Sequence, residues 1–306
     1  MAEGGSTMRG SVFAVLMLMP LIWLGGLPGQ TQAGEYTIGV LAKRGAARAI
    51  KQWGPTADYL NHALEGDRFT LLPLGFDEVD PAIEGRKVDF FLVNSSMFVT
   101  AQVRFGASPI ATMVNSRQGQ ALRAFGGVIF TYIDRDDINH LSDLRGKRFM
   151  AVEESSFGGW QMALKVLLEN GVDPARDLGG MRFGGTHDNV VYSVQNDEAE
   201  AGTVRTDTLE RMAAAGDIEL SEFKIIHPAR HDGFPFVIST ELYPEWPLAR
   251  LASTPDELAL RVTEALFKMP PESEAARSAK IVGWAPPLDY NGVRQLQQQL
   301  GVGAYQ

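Results

Sequence analysis

The sequence predicts an α/β protein built from two lobes, and three observations lead to this fold class. Short apolar runs alternate with helical segments from Tyr36 onward, a pattern typical of parallel strands flanked by helices. The same alternation starts again after Phe130, and a mostly helical tail begins near Thr254. A chain of 306 residues with 45% hydrophobic residues can bury the core of one or two domains.

The first lobe is expected to begin with three strands and two helices. The strands are predicted at residues 36–41, 69–74 and 88–93, and the helices at 53–64 and 77–84. A further apolar run at 125–133 contains Gly126 and Gly127 and is predicted to cross to the second lobe. The second lobe is expected to contain strands at 148–152, 181–183, 201–204 and 223–226, with helices at 159–170, from about 188, and at 208–215.

The tail is predicted to return to the first lobe. Pro255 at a first helical position and Glu257 at a capping-box position mark a strong helix start. A helical tail after a second α/β unit indicates a second crossover, which we expect at residues 225–238. The expected organisation is lobe one at 34–126, lobe two at 127–230, and the return to lobe one at 231–306.

Residues 1–33 have the layout of a secretory signal peptide. Arg9 is the only base before an uncharged apolar run at 11–27, and small residues end the segment at Ala33. An uncleaved membrane anchor is the alternative, because the run is long enough to span a bilayer; Pro20 favours cleavage. The sequence has no cysteine for a disulfide or a lipid anchor. We expect a soluble periplasmic monomer.

Composition and motifs argue against several function classes. The net charge is −9 and the sequence shows no basic stripe, so nucleic acid is not an expected partner. The sequence also lacks a nucleophile elbow, a zinc-binding His pair on a helix and a phosphate loop. His187 beside Asp188 as a general base, and His227 with His231 as metal ligands, are weaker alternatives. We expect no catalytic residues, no metal and no cofactor.

Four strand-to-helix connections carry small hydroxyl or amide residues. Ligands of open α/β sheets bind beyond the carboxyl ends of the strands, where helix N-termini present free N–H groups to anions. The alternative is that these residues only cap their helices. The candidate ligand-binding residues of these connections are Asn94, Ser95, Ser96, Ser155, Ser156, Thr186 and His187.

Two arginines complete the set of candidates. Arg44 and Arg205 each follow a predicted strand and could pair with a carboxylate, sulfonate or phosphate; a surface salt bridge is the alternative for both. Trp53, Trp160 and Trp246 could wall a cleft. The helical spacing of apolar residues after Trp160 is more typical of a core position.

Several stretches resemble a known family, the phosphate, phosphite and phosphonate group of periplasmic solute-binding proteins. The resemblance is closer still to the sensing domains of sensor kinases such as the tetrathionate sensors. The matching stretches are residues 39–45, 53–60, 143–147, 183–188 and 242–247. The family implies a type II periplasmic-binding fold, with two crossover strands and a ligand cleft between the lobes. It implies that Asn94, Ser95 and Ser96 face the cleft from lobe one, with Ser155, Ser156, Thr186 and His187 opposite them.

The resemblance also implies the function. It indicates the substrate-binding component of an ABC-type uptake system, which takes a small, phosphate- or phosphonate-like oxyanion and works with a membrane permease. Val93–Met97 departs from the Gly-Pro-x-Ser-Tyr segment of phosphonate binders, which leaves the choice among oxyanions open. The alternative is a periplasmic sensing module that acts with a membrane sensor kinase, because residues 283–290 resemble the segment before the membrane helix of such sensors.

Overall fold

The computed structural model describes residues 34–306, together with Met1, Gly4 and Gly5. Apart from those three, the predicted signal segment at 1–33 lies outside the described residues. The strands are β1 (Glu35–Leu41), β2 (Arg68–Leu74), β3 (Phe90–Leu92), β4 (Ser108–Arg117), β5 (Gln120–Leu122), β6 (Ala124–Phe125), β7 (Gly127–Tyr132), β8 (Arg148–Ala151), β9 (Gly180–Phe183), β10 (Ala201–Arg205), β11 (Phe223–Ile226), β12 (Tyr243–Pro244), β13 (Pro247–Arg250) and β14 (Ile281–Ala285).

The helices cover both lobes and the tail. They are α1 (Ala46–Ala63), α2 (Val79–Glu84), α3 (Ser95–Phe105), α4 (Met162–Glu169), α5 (Pro174–Asp177), α6 (His187–Gln195), α7 (Thr208–Ala214), α8 (Asp256–Phe267), α9 (Glu274–Ala279) and α10 (Asn291–Leu300). In the part of the chain that the structure describes, none of them combines the length and apolarity that a bilayer crossing requires.

Lobe one contains a seven-stranded mixed sheet in the order β14-β4-β13-β3-β1-β2, with β5 paired to β4. β1 runs parallel to β2 and β3, whereas β4 pairs antiparallel with β13 and β14. The sequence reading missed β4, β13 and β14, and the tail is therefore less helical than predicted. β13 was missed because it begins at Pro247 in a stretch of turn residues, which favours a loop over a strand.

Lobe two contains a five-stranded sheet in the order β11-β7-β10-β8-β9. Its two faces pack on separate cores, because alternate strand residues point to opposite sides. Val128 and Phe130 of β7 pack toward the face covered by α6 and α7. Ile129 packs on the other face with Phe149 and Trp160. Trp160 is thus a core residue, as the helical spacing indicated.

The two sheets are joined through a short ladder in which Phe125 of β6 pairs with Tyr243 of β12. The position predicted for the second crossover, residues 225–238, was wrong. Ile225 and Ile226 belong to β11, the edge strand beside β7. Ser239 still binds lobe two, because its N–H donates to the carbonyl of Gly127 over 2.9 Å. The chain returns to lobe one only at β12, where prolines and aromatic residues replace the alternating pattern of a strand.

The predicted helix starts at the two lobes have the expected capping geometry. Asn94 precedes α3, and its side-chain oxygen accepts a hydrogen bond from the Met97 N–H over 3.0 Å. Thr186 precedes α6, and its hydroxyl accepts from the Asn189 N–H over 3.3 Å. Both side chains satisfy an N–H that a helix leaves without an internal partner. Gly106 ends α3 at φ 67°, in the left-handed region that favours glycine.

Candidate functional site

A small cavity lies between the two lobes, where β1, α3 and β12 of lobe one face β10 and α6 of lobe two. Its free space is about 210 Å³, part of which is open to solvent, so the surrounding side chains leave little room. A ligand enclosed here is therefore small. The lining residues are Leu41, Lys43, Phe76, Asn94, Phe125, Ser156, Phe157, Gly158, His187, Arg205 and Trp246.

Arg205 brings a buried cation to this cavity from the end of β10. Its Nη2 donates to Glu245 Oε1 over 2.8 Å, and its guanidinium carbon lies 4.3 Å from the centroid of the Phe125 ring. Burial lowers the pKa of Arg205, but the charges of Glu245 and Asp207 outweigh burial and hold the pKa above its ordinary value. Within residues 34–306, the buried Nη1 has no hydrogen-bond partner. The Nη1 group of Arg205 is therefore a charged donor that can bind a ligand.

Gly158 fixes where Arg205 can lie. It belongs to the π-helical turn Phe157–Gln161 that precedes α4. A Cβ atom at Gly158 would stand 2.8 Å from the Arg205 Cβ and 2.9 Å from Cε2 of Phe125. Both distances are shorter than non-bonded carbon atoms tolerate. The turn can pack against the arginine only because residue 158 has no side chain.

Lys43 and Trp246 form the lobe-one wall of the cavity. The Lys43 Nζ lies 4.7 Å from the centroid of the Trp246 ring, a cation–π geometry. Trp246 is buried, and its Nε1 has no hydrogen-bond partner among the described residues. Burial and then the charge of Arg205 lower the pKa of Lys43 well below its ordinary value. An anion placed between these groups would offset the repulsion between the two cations.

Sequence reasoning missed Lys43 and considered Trp246 only as a possible wall. The available signal was their position: Lys43 directly precedes the candidate Arg44, and both residues lie in stretches that carry the family resemblance. Capping rules predict neither Lys43 nor Trp246 as a site residue, because the two come close only when the fold brings β1 and β12 together.

His187 is held neutral and contributes a second kind of donor. Its Nδ1 accepts the Arg205 backbone N–H over 3.4 Å, so Nδ1 carries no proton. Burial, followed by the charges of Lys43 and Arg205, lowers its pKa well below the ordinary value. The neutral ring must then carry its proton on Nε2. His187 therefore acts as an N–H donor in this cavity.

Asn94 and Ser156 close the cavity where the lobes meet. The Asn94 Nδ2 donates to the carbonyl of Ser155 over 3.1 Å, which links α3 directly to lobe two. Ser156 is buried and lines the cavity, whereas Ser155 lines a wider groove outside it. Phe76 lines both spaces and separates the cavity from the groove.

Besides Ser155, four predicted site residues do not line the cavity: Ser95, Ser96, Thr186 and Arg44. The Ser95 hydroxyl donates to the carbonyl of Pro244 over 2.6 Å. The Ser96 hydroxyl accepts from Gln297 Nε2 over 2.7 Å. The Thr186 hydroxyl is used in capping α6. All three hydroxyls thus have partners within the chain itself.

Arg44 lies between the lobes but beside the cavity. Its Nε and Nη2 donate to the two carboxylate oxygens of Asp188 in α6, each over 2.7 Å, and Arg48 binds the same carboxylate. Burial raises the pKa of Asp188, but the hydrogen bonds and charges of the two arginines outweigh it and lower the pKa overall. Arg117 of β4 and Asp207 after β10 form a second ion pair across the lobes.

Arg44 and Arg48 also line a second space of about 420 Å³, which shares Lys43 and Trp246 with the cavity. The region between the lobes is therefore rich in cations. Its carboxylates, such as Asp188 and Glu245, are paired with arginines. This arrangement suits a ligand with negative charge and oxygen acceptors.

Comparison with known proteins identifies the family and the fold of this chain. Residues 38–291 match the model of a family described as the phosphonate, periplasmic substrate-binding proteins of ABC transporters. Over 266 residues, the chain is 33% identical to the tetrathionate sensor histidine kinase TtrS of Salmonella typhimurium. The matched region is 86% of this chain but only 43% of that kinase.

Two solved structures share the fold. A binding protein component of an ABC phosphonate transporter from Pseudomonas aeruginosa superimposes with a TM-score of 0.73 at 16% identity, covering 87% of this chain and 86% of that one. PhnD1 from Prochlorococcus marinus in complex with methylphosphonate gives a TM-score of 0.70 at 13% identity, with coverage of 87% and 98%. Both likenesses support the periplasmic-binding-protein fold, which is the fold class that the sequence predicts.

Proposed function

This chain belongs to the phosphonate-type family of periplasmic substrate-binding proteins, and from that premise we propose that it binds a small oxyanion in the cavity between its lobes. The observation that carries the proposal is the pair of buried donors, Arg205 Nη1 and Trp246 Nε1, that have no partner among the described residues. Both belong to residues that line the cavity. An oxyanion would accept from both and would lie beside Lys43.

The proposed cycle is a closure of the two lobes on the ligand, followed by delivery to an ABC permease. Hinge closure is the common motion of two-lobed binders. The two chain segments that connect the lobes pair in the β6–β12 ladder, about which the lobes would turn. We propose export through a cleaved signal peptide and action as a monomer without catalytic activity, metal or cofactor.

Solutes can be screened by thermal shift at constant ionic strength. The panel contains phosphate, methylphosphonate, sulfate, methanesulfonate, tetrathionate and glutamate, with chloride as the ionic-strength control. A ligand at about a hundred times its dissociation constant should add about 2.7 kcal/mol of stability. Stabilisation by glutamate alone, with none from any oxyanion, would refute the proposed ligand class.

A sensing role is the second candidate, because the identity to the tetrathionate sensor kinase extends over most of this chain. The two roles differ in what deletion of the gene removes. A transport role predicts loss of uptake of the labelled oxyanion. A sensing role predicts normal uptake and loss of the transcriptional response to that oxyanion.

A further inference from the structure

The side chains that line the cavity carry many more hydrogen-bond donors than acceptors. The Arg205 guanidinium, the Trp246 indole and a charged Lys43 can only donate hydrogen bonds. His187 is also a donor, because its Nδ1 already accepts the Arg205 N–H. Of the described residues, the cavity lining includes no aspartate and no glutamate.

The remaining acceptors are few and mostly engaged. The Asn94 side-chain oxygen accepts from the Met97 N–H, which leaves the Ser156 hydroxyl as the free side-chain acceptor. Glu245, just behind Arg205, accepts from Arg205 and from Asn115. The nearby carboxylates therefore neutralise arginines and do not face the ligand.

From this imbalance we infer that the cavity selects oxyanions that carry no proton, such as sulfonates and sulfate, over hydrogen phosphate and singly protonated phosphonates. The inference rests on the proposed function and narrows its ligand class. An O–H group on a bound phosphonate needs an acceptor, for which the lining offers only the Ser156 hydroxyl among its free side-chain groups, and a buried donor without a partner is penalised. A sulfonate of the same shape and charge presents only acceptors.

Methanesulfonate and singly protonated methylphosphonate make the sharpest comparison, because both are tetrahedral monoanions that differ by one proton. Their dissociation constants for the unaltered protein are measured by calorimetry at a pH well below the second pKa of the phosphonate, and again well above it. The ratio of the two constants at one pH cancels the protonation state of the free protein. Sulfate and phosphate provide a second matched pair.

We expect methanesulfonate to bind about tenfold or more tightly at the lower pH, which is the consequence of one buried unpaired donor. The ratio should fall at the higher pH, where the phosphonate has lost its proton. Equal binding at the lower pH, or tighter binding of the phosphonate, overturns the inference and leaves the proposed function intact. If neither these four anions nor tetrathionate binds, the proposed function fails as well.

A pair of variants tests whether a carboxylate acceptor in the lining removes the preference for the sulfonate. Ser156→Asp places a carboxylate in the lining, and it should reduce the preference for the sulfonate several-fold at the lower pH. Ser156→Ala removes the free hydroxyl and should leave the preference unchanged or larger. An equal loss of preference in both variants would contradict the inference, and circular dichroism verifies that each variant is folded.

Discussion

Arg44 of lobe one binds Asp188 of lobe two through two parallel hydrogen bonds of 2.7 Å. Such a bidentate pair fixes the orientation of both groups as well as their distance. Side-chain exposure is 19% for the arginine and 10% for the aspartate, so water screens the pair only weakly. This contact holds the lobes together directly, whatever the ligand contributes.

We predict that Asp188→Asn weakens closure. Loss of the charge-assisted bonds should cost about 1–3 kcal/mol of closed-state stability and should reduce ligand affinity. Small-angle scattering should show a larger radius of gyration, and calorimetry the weaker binding. Asp197→Asn is the matched control, because Asp197 pairs with Arg148 inside lobe two and is 74% exposed. Equal effects of the two changes would exclude a role of Asp188 in closure.

Acid should open the lobes. The pKa values of Asp188 and Asp207 are both lowered, in each case by arginine partners that outweigh burial. A carboxylate with a lowered pKa stabilises the closed form fully above its ordinary value of about 3.9, and this stabilisation is lost as the pH falls through the lowered value. Scattering from neutral pH downward should therefore show compact particles until below about pH 4. Opening already near neutral pH would contradict this assignment.

Variants of the Arg205–Glu245 pair distinguish an effect on stability from an effect on binding. Arg205→Met should destabilise the protein by about 3–5 kcal/mol, because it leaves Glu245 buried without its partner. Adding Glu245→Gln should recover most of that stability, since the carboxylate that lost its arginine partner is then neutral. Binding should stay absent in both variants. Denaturant unfolding and calorimetry measure the two quantities, and restored binding in the double variant would show that Arg205 does not contact the ligand.

Ligand binding should be accompanied by proton uptake at Lys43. Burial and the charge of Arg205 lower the pKa of this lysine, and a bound anion should raise it again. Calorimetry in buffers of different ionisation enthalpy should reveal the uptake, which should grow with pH. Lys43→Met should abolish it. A net release of protons on binding would be the opposite of what this geometry requires.

The parts of this fold that were predictable follow local rules. Asn94 and Thr186 were identified as helix starts because a capping side chain is a property of a few neighbouring residues. Among the donors of the cavity, Arg205 and His187 were predicted site residues, whereas Lys43 was missed, since only the return of the chain at β12 brings Trp246 to it. Ser95 and Ser96 show the opposite error, in which residue type suggests a binding role that the packing does not support. Their residue types suit an anion site, but the packing of the tail gives both hydroxyls partners within the chain.

Gly158 constrains any attempt to change the ligand of this protein. A side chain introduced there would displace the Arg205 guanidinium before it reached the ligand, because the closest atom to the new Cβ is the arginine's own Cβ. A library that randomises the lining should therefore keep residue 158 as glycine and vary positions that border open space. Phe76 is such a position, since it lies between the enclosed cavity and the outer groove. Substitution of Phe76 is therefore the change best suited to admit a larger ligand, because it leaves Gly158, and with it the position of Arg205, unaltered.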